Sequence, residues 1–184
     1  MSAVFLKDHI VSMARNNAWA NHRLLKACEA LSEEEFAAKR TSFFPSIRAT
    51  LNHNLVVDWY YIDAMTAENA LRHYTQPDPD YANAADLRKV QTESDKKLIA
   101  FCARQTDKTL TAEIILPRPD RKPPPCQIHT ILAHLFQHQI HHRGQAHAML
   151  AGTKVKPPQL DEFFLSGELE LRRAELKELG LPEV

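Results

Sequence analysis

Apolar residues recur every three to four positions in four long stretches of the chain, the spacing of amphipathic helices. The first runs from about residue 5 to 30 through Leu6, Ile10, Met13, Asn17, Ala20 and Leu24 to Ala27 or Cys28. Asn16, Asn17 and Asn21 in this stretch are expected to meet solvent or to hydrogen-bond across helices. Ser32 and Glu35 then have the spacing of a capping box around a short turn. A second helix is expected from Ser46, after Pro45, through Ile47, Leu51, Leu55 and Ile62 to Met65. Asn54 and Asp58 fall inside its apolar face, where a carboxylate must be paired, hydrated or near a cation. Trp59, Tyr60 and Tyr61 form a bulky segment expected to pack.

Residues 74–82 read as a Pro-Asp connection. The third helix, about 84–106, is carried by Leu87, Val90, Ser94, Leu98 and Phe101, and its middle, TESDKK, is expected to face solvent. The run TLTAEIIL at 109–116 changes character, because β-branched residues favour extended chain. The following PRPDRKPPPC holds five of the 11 prolines and suits a stiff connector or hairpin tip. A fourth helix starts near Cys126 or Gln127 and ends about Ala151, with Gly152 as its cap. A proline-containing stretch leads to a charged helix over 168–179, closed by Gly180 and Pro182.

Four long amphipathic helices most simply bury their stripes against one another. The expected fold is all-α: a four-helix bundle over residues 1–184 as a single domain. It carries a short C-terminal helix and a possible small β-hairpin between helices three and four. Balanced charge, with 23 basic and 23 acidic residues, gives no support for nucleic-acid capture. No signal peptide and no 18-residue apolar run stand out, so a membrane partner is not expected. The three cysteines form no spaced pair, which points away from a disulfide framework and towards the cytoplasm.

Composition changes the picture at histidine. Of 10 in the chain, His129, His134, His138, His141, His142 and His147 crowd into the fourth helix. On a helical wheel His142 lies near the centre of the sector formed by Ile128, Ile131, Leu132, Leu135, Ala146 and Met149. His138 lies just inside its edge. Their i, i+4 spacing stacks two rings on one face, where they can grip a divalent ion. The alternatives are a pair of hydrogen-bonded core histidines or a coincidental histidine run on the bundle surface. A third ligand must come from another helix. His53 and Asp58 are candidates, with His9 and His22 behind them, and spacing does not choose between these.

Other chemistries fall away. Residues 138–142 read HQIHH, so the glutamate of a zincin HExxH is missing. No Asp or Glu occurs in 127–151, which removes the Glu-x-x-His pairs of a di-iron bundle. No serine sits in a Gly-x-Ser-x-Gly elbow. A Cys126–His pair is open, whereas Cys28 and Cys102 occupy core-like positions.

Three stretches resemble the DinB family, also described as DinB/YfiT-like metalloenzymes. They are ARNNAWANHRLL at 14–25, LNHNLVVDWYY at 51–61 and HLFQHQIHHRGQAHAML at 134–150. The resemblance implies an up-down-down-up four-helix bundle, a homodimer, and one divalent metal held by three histidines at one end of the bundle. Matched residue by residue, those are His53, His138 and His142, with His141 pointing away. Asp58, Arg143 and Gln145 then become supporting or substrate-contacting candidates, and Gly144 is expected where helices approach closely. The metal is Zn, Ni, Fe or Mn.

Some relatives of this kind are thiol S-transferases using low-molecular-weight thiols. The leading expectation is therefore metal-dependent thiol transfer, with a small-molecule thiol or electrophile as partner. The alternatives are a hydrolase using metal-bound water, or a non-enzymatic, stress-related, dimeric metal-binding protein.

Overall fold

Side-chain caps set where the second and third of the long helices begin. The Ala49 N–H donates to Ser46 Oγ at 3.1 Å and the Asp86 N–H to Asn83 Oδ1 at 2.9 Å. The computed structural model describes residues 6–183, so the expected helix start at residue 5 lies outside the described residues. In chain order the elements are α1 (Leu6–Cys28), α2 (Glu33–Ala37), α3 (Ile47–Met65), α4 (Arg72–Thr75), α5 (Ala84–Arg104) and α6 (Asp107–Leu110). They continue with β1 (Glu113–Ile114), β2 (Cys126–Gln127), α7 (Ile128–Ala151), a 3-10 turn (Ser166–Glu168) and α8 (Leu169–Leu179). The Ser32–Glu35 capping box forms and opens α2.

Helices α1, α3, α5 and α7 form the bundle, and two apolar clusters reveal their directions. One joins Ile10 of α1, Ile62 of α3, Leu98 of α5 and Leu132 of α7. The other joins Leu24, Leu55, Leu87 and Leu150 of the same four helices. Residue numbers rise from the first cluster to the second along α1 and α7, and fall along α3 and α5. The connectivity is therefore up-down-down-up. Because α3 and α5 run parallel, the chain must travel back about 28 Å between them, the length of a 19-residue helix. The Pro-Asp segment makes this return, and its first residues wind into α4.

The extended run pairs as a two-stranded antiparallel hairpin, Glu113 opposite Gln127 and Ile114 opposite Cys126. Cys126 and Gln127 are thus strand, not the start of the fourth helix. The Ile128 N–H donates to the Ala112 carbonyl at 3.0 Å, closing the ladder where α7 begins. Prolines at 117, 119 and 123–125 carry no N–H, which keeps the ladder short.

The solvent-facing expectation for TESDKK needs correction. Ser94 and Asp95 are buried at 2% and 5% exposure, because α5 lies against both α1 and α3 and hides more than one stripe. Gly144 also differs from expectation. A Cβ placed there meets nothing within 4 Å, so no close approach demands a glycine. At the C-terminus, Gly180 takes φ +65°, and the Leu181 N–H reaches the Leu176 carbonyl at 2.9 Å, a left-handed helix cap. No helix among the described residues is long and apolar enough to cross a membrane.

Candidate metal centre

Two consecutive turns of α7 carry His138 and His142, and the antiparallel α3 brings His53 opposite them. One ligand nitrogen from each of the three lies within 4.8 Å of the others. His53 Nε2 and His138 Nε2 are 3.1 Å apart. Ring centroids are 5.1 Å apart for His53 and His138, 5.0 Å for His53 and His142, and 4.5 Å for His138 and His142. A tetrahedral ion bonded at about 2.0–2.1 Å would separate its nitrogens by about 3.3 Å. The His53–His138 pair is near that value, and all three ligand nitrogens lie within 4.8 Å of one another.

Burial is the first reason these rings stay neutral. It holds His53 down to about 4 and His138 down to about 3, with the neighbouring rings adding to the effect. His142 is lowered by the same cause. Neutral imidazole is the form that binds metal.

Gln145 fixes the tautomer of His142. The His142 Nδ1–H donates to Gln145 Oε1 at 2.8 Å, which leaves Nε2 with its lone pair. The Gln145 amide in turn donates to His141 Nε2 at 3.0 Å. Gln145 thus bonds two histidines, and His141 stands outside the cluster on the exposed side. Phe44 walls the opposite side, with its ring 4.4 Å from His53 and 5.4 Å from His142.

Just behind the histidines, α7 turns a different set of side chains inward. Gln139 is fully buried and donates to Asp58 Oδ1 at 2.6 Å and to the Asn54 carbonyl at 3.1 Å. Gln91 of α5 donates to Asp58 Oδ2 at 2.7 Å. Arg143, 4% exposed, donates to Asn17 Oδ1, to Asn21 Oδ1 at 2.8 Å and to Gln139 Oε1 at 3.3 Å. The Asn17 and Asn21 amides donate to Asp95 Oδ1 at 3.2 and 3.1 Å. The layer lies between the two apolar clusters and joins all four bundle helices.

Its charges do not balance at two carboxylates against one guanidinium. Burial, followed by the charge of Asp58, pushes Asp95 up to about 8, well above the usual carboxylate range. Burial raises Asp58 to about 6 against the pull of its amide donors. It also lowers Arg143 to about 10. Ionised Asp58 and Arg143 then compensate each other through Gln139.

Each expected site residue has a definite place. His53, His138 and His142 converge. Asp58 bonds neither a histidine nor Arg143 directly, and reaches Arg143 through Gln139. Arg143 faces the bundle interior. His22 pairs with Glu178 at 3.0 Å and His9 is exposed, so neither joins the cluster. His134 is exposed, 6.4 Å from His138 between ring centroids. The Cys126 thiol faces the Pro124 carbonyl at 3.9 Å and hydrogen-bonds no histidine. Cys28 and Cys102 are buried, which pushes their thiols up to about 12.

Sequence reasoning missed Gln91, Asp95, Gln139 and Phe44. For Gln91 and Gln139 a signal existed, though it did not say which residues would answer it. Gln139 and Arg143 repeat at i, i+4 on α7 as Asn17 and Asn21 do on α1, and Asp58 on an apolar face required donors.

Comparison with known proteins agrees with this architecture. The sequence model of the DinB family matches residues 1–171. The chain belongs to the DinB family. Among characterised relatives, Protein DinB of Bacillus subtilis (strain 168) is 21% identical over 150 residues, covering 79% of this chain and 86% of that protein. Two crystal structures share the fold. A DinB-like protein from Bacillus subtilis superposes with TM-score 0.59 at 18% identity, covering 83% of this chain and 96% of that one. Another from Bacillus cereus ATCC 10987 gives TM-score 0.59 at 16% identity, covering 80% and 94%. Within the family fold, this chain holds a clustered three-histidine site able in principle to bind a metal ion.

Proposed function

We propose that this DinB-family protein is a divalent-metal-dependent enzyme that transfers a low-molecular-weight thiol to an electrophile. The observation that carries the reading is the convergence of three neutral imidazole nitrogens from two helices within 4.8 Å. Three protein ligands leave a coordination position open to a small molecule. A divalent ion held there supplies Lewis acidity that lowers the pKa of a thiol or a water.

The chain's own residues favour the thiol. No carboxylate hydrogen-bonds any of the three rings among the described residues, and no Asp or Glu lies on α7, so activation of water there would rest on the ion alone. A thiol ionises far more readily and needs less help. In the transfer, sulfur forms a new bond to carbon, the leaving group departs with its electron pair, and the thiol proton passes to solvent. His53, His138 and His142 hold the ion, Gln145 keeps His142 in the binding tautomer, and Phe44 shields the cluster. A homodimer in the cytoplasm completes the proposal and is checked by sedimentation and fractionation.

The test is an assay of metal-loaded protein against a panel of thiols and electrophiles. Thiol consumption well above that of His138→Ala is the expected result. Product formed equally well without added thiol would establish the hydrolytic reading in its place. Metal uptake with neither reaction would leave the non-enzymatic one.

A further inference from the structure

The loop between α2 and α3 shows an arrangement that folding does not require. Arg40 braces its base. The Arg40 N–H donates to the Pro45 carbonyl at 2.8 Å, and its guanidinium donates to the carbonyls of Glu35 and Ala38 at 2.8 and 2.9 Å. The braced loop carries two consecutive phenylalanines to the rim of the histidine cluster. Phe43 and Phe44 pack edge to face at 5.0 Å. Phe44 lies against His53, and Phe43 stands 6.1 Å from His142 between ring centroids.

Phe43 is 77% exposed, the most exposed large apolar side chain among the described residues. A phenyl ring left in water on a braced loop contributes nothing to the core. Its position beside a ligand site gives it a use. A cavity of about 360 Å³ has Phe44 and His53 among its walls and is lined further by Ala37, Ala49 and Val56. That volume lies at the lower end of small-molecule pockets, about 300–1,000 Å³. Its edge is polar, with Ser46, Asn52 and Asp78 beside the Arg48–Asp80 ion pair.

We propose that the small molecule taken up at the three-histidine site carries a flat aromatic group, which packs against Phe44 and Phe43 while its polar head occupies the open metal position. This rests on the metal-site reading above and adds the chemical class of its ligand. The Phe44 ring already lies against two of the ligating rings, so a polar head at the metal brings a directly attached ring into the same contact. A methyl group in place of that ring would leave the exposed Phe43 ring in water.

The test uses Co(II)-loaded protein and two hydroxamates that share a metal-binding head. Benzohydroxamate carries a phenyl ring and acetohydroxamate a methyl group. Titrations are followed by the visible absorption of Co(II), which reports binding without any turnover. Benzohydroxamate is expected to bind at least about tenfold more tightly, a difference of the size one buried ring commonly supplies. Phe43→Ala, an exposed change that leaves the core intact, and Phe44→Ala should each cut that preference to about threefold or less. Phe44→Leu, which retains apolar bulk, guards against a misfolded Phe44→Ala.

Equal binding of the two hydroxamates overturns the inference and leaves the metal site standing. A preference that survives in both alanine variants overturns it as well. So does a Phe43→Ala protein that keeps the full preference but changes its sedimentation, because Phe43 then serves a contact between copies. Failure to take up Co(II) at all, with no difference from His138→Ala, removes the metal reading and this inference together.

Discussion

A histidine held neutral by burial responds to acid differently from a free one. In the unfolded chain each ring takes up a proton near its ordinary 6.5, but in the folded chain His53 does so only near 4 and His138 near 3. Below 6.5 the unfolded state therefore binds protons that the folded state refuses. The stability these rings contribute is complete above that pH and is lost as pH falls towards 3. Metal-free protein should thus show a declining urea midpoint from pH 6.5 to 4, and the double variant His53→Ala, His138→Ala should show a shallower decline. An equal slope in both would mean that the rings are solvated and not poised for a metal. Resident metal should steepen the acid loss further, since imidazole protonation and metal binding compete for one lone pair.

At the scale of single elements, α7 presents two unlike faces one residue apart. His138 and His142 face the α3 side of the rim, while Gln139 and Arg143 plunge into the polar layer. The layer therefore sets the rotation of α7 about its axis, and with it the aim of the histidines. Replacing Arg143 by Met removes the cation that compensates Asp58 and strands a carboxylate that is 1% exposed. The expected loss is about 3–5 kcal/mol in urea unfolding. It should grow as pH rises through about 6, where the stranded Asp58 would otherwise ionise.

Gly144, the next residue, behaves in the opposite sense. Its side-chain direction is open and its φ is not left-handed. Gly144→Ala should stabilise the protein by about 0.5–1 kcal/mol through helix propensity alone, read as a raised melting temperature. A loss of stability would show that another surface covers this position.

On the scale of the whole molecule, the C-terminal segment packs Phe163 and Leu176 on Trp19 of α1, and Arg23 adds a group of polar contacts. Arg23 of α1 donates to Glu175 at 3.0 Å, to Glu162 at 2.9 Å, to the Gln159 carbonyl at 3.0 Å and to the Leu171 carbonyl. Its guanidinium also covers Trp19 at 4.4 Å. Arg23→Ala should cost about 1.5–3 kcal/mol, in the range of charged hydrogen bonds. The cost should appear as faster amide exchange in α8, with α3 and α7 unchanged.

The chain itself determined the four helices, the caps at Ser46 and Gly152, the hairpin and the i, i+4 pair His138 and His142. All of these are local, since periodicity, capping and proline chemistry act within a few residues. It also signalled that Asp58 needed donors. Tertiary structure alone decided who met those needs. His53 and His138 are 85 residues apart, and a wheel describes each helix only relative to its own axis. The burial of Asp95, the inward turn of Gln139 and Arg143, and the approach of Phe44 all depend on how neighbouring helices are rotated. That rotation is set by the sum of many distant contacts, none of which has a local signature along the chain.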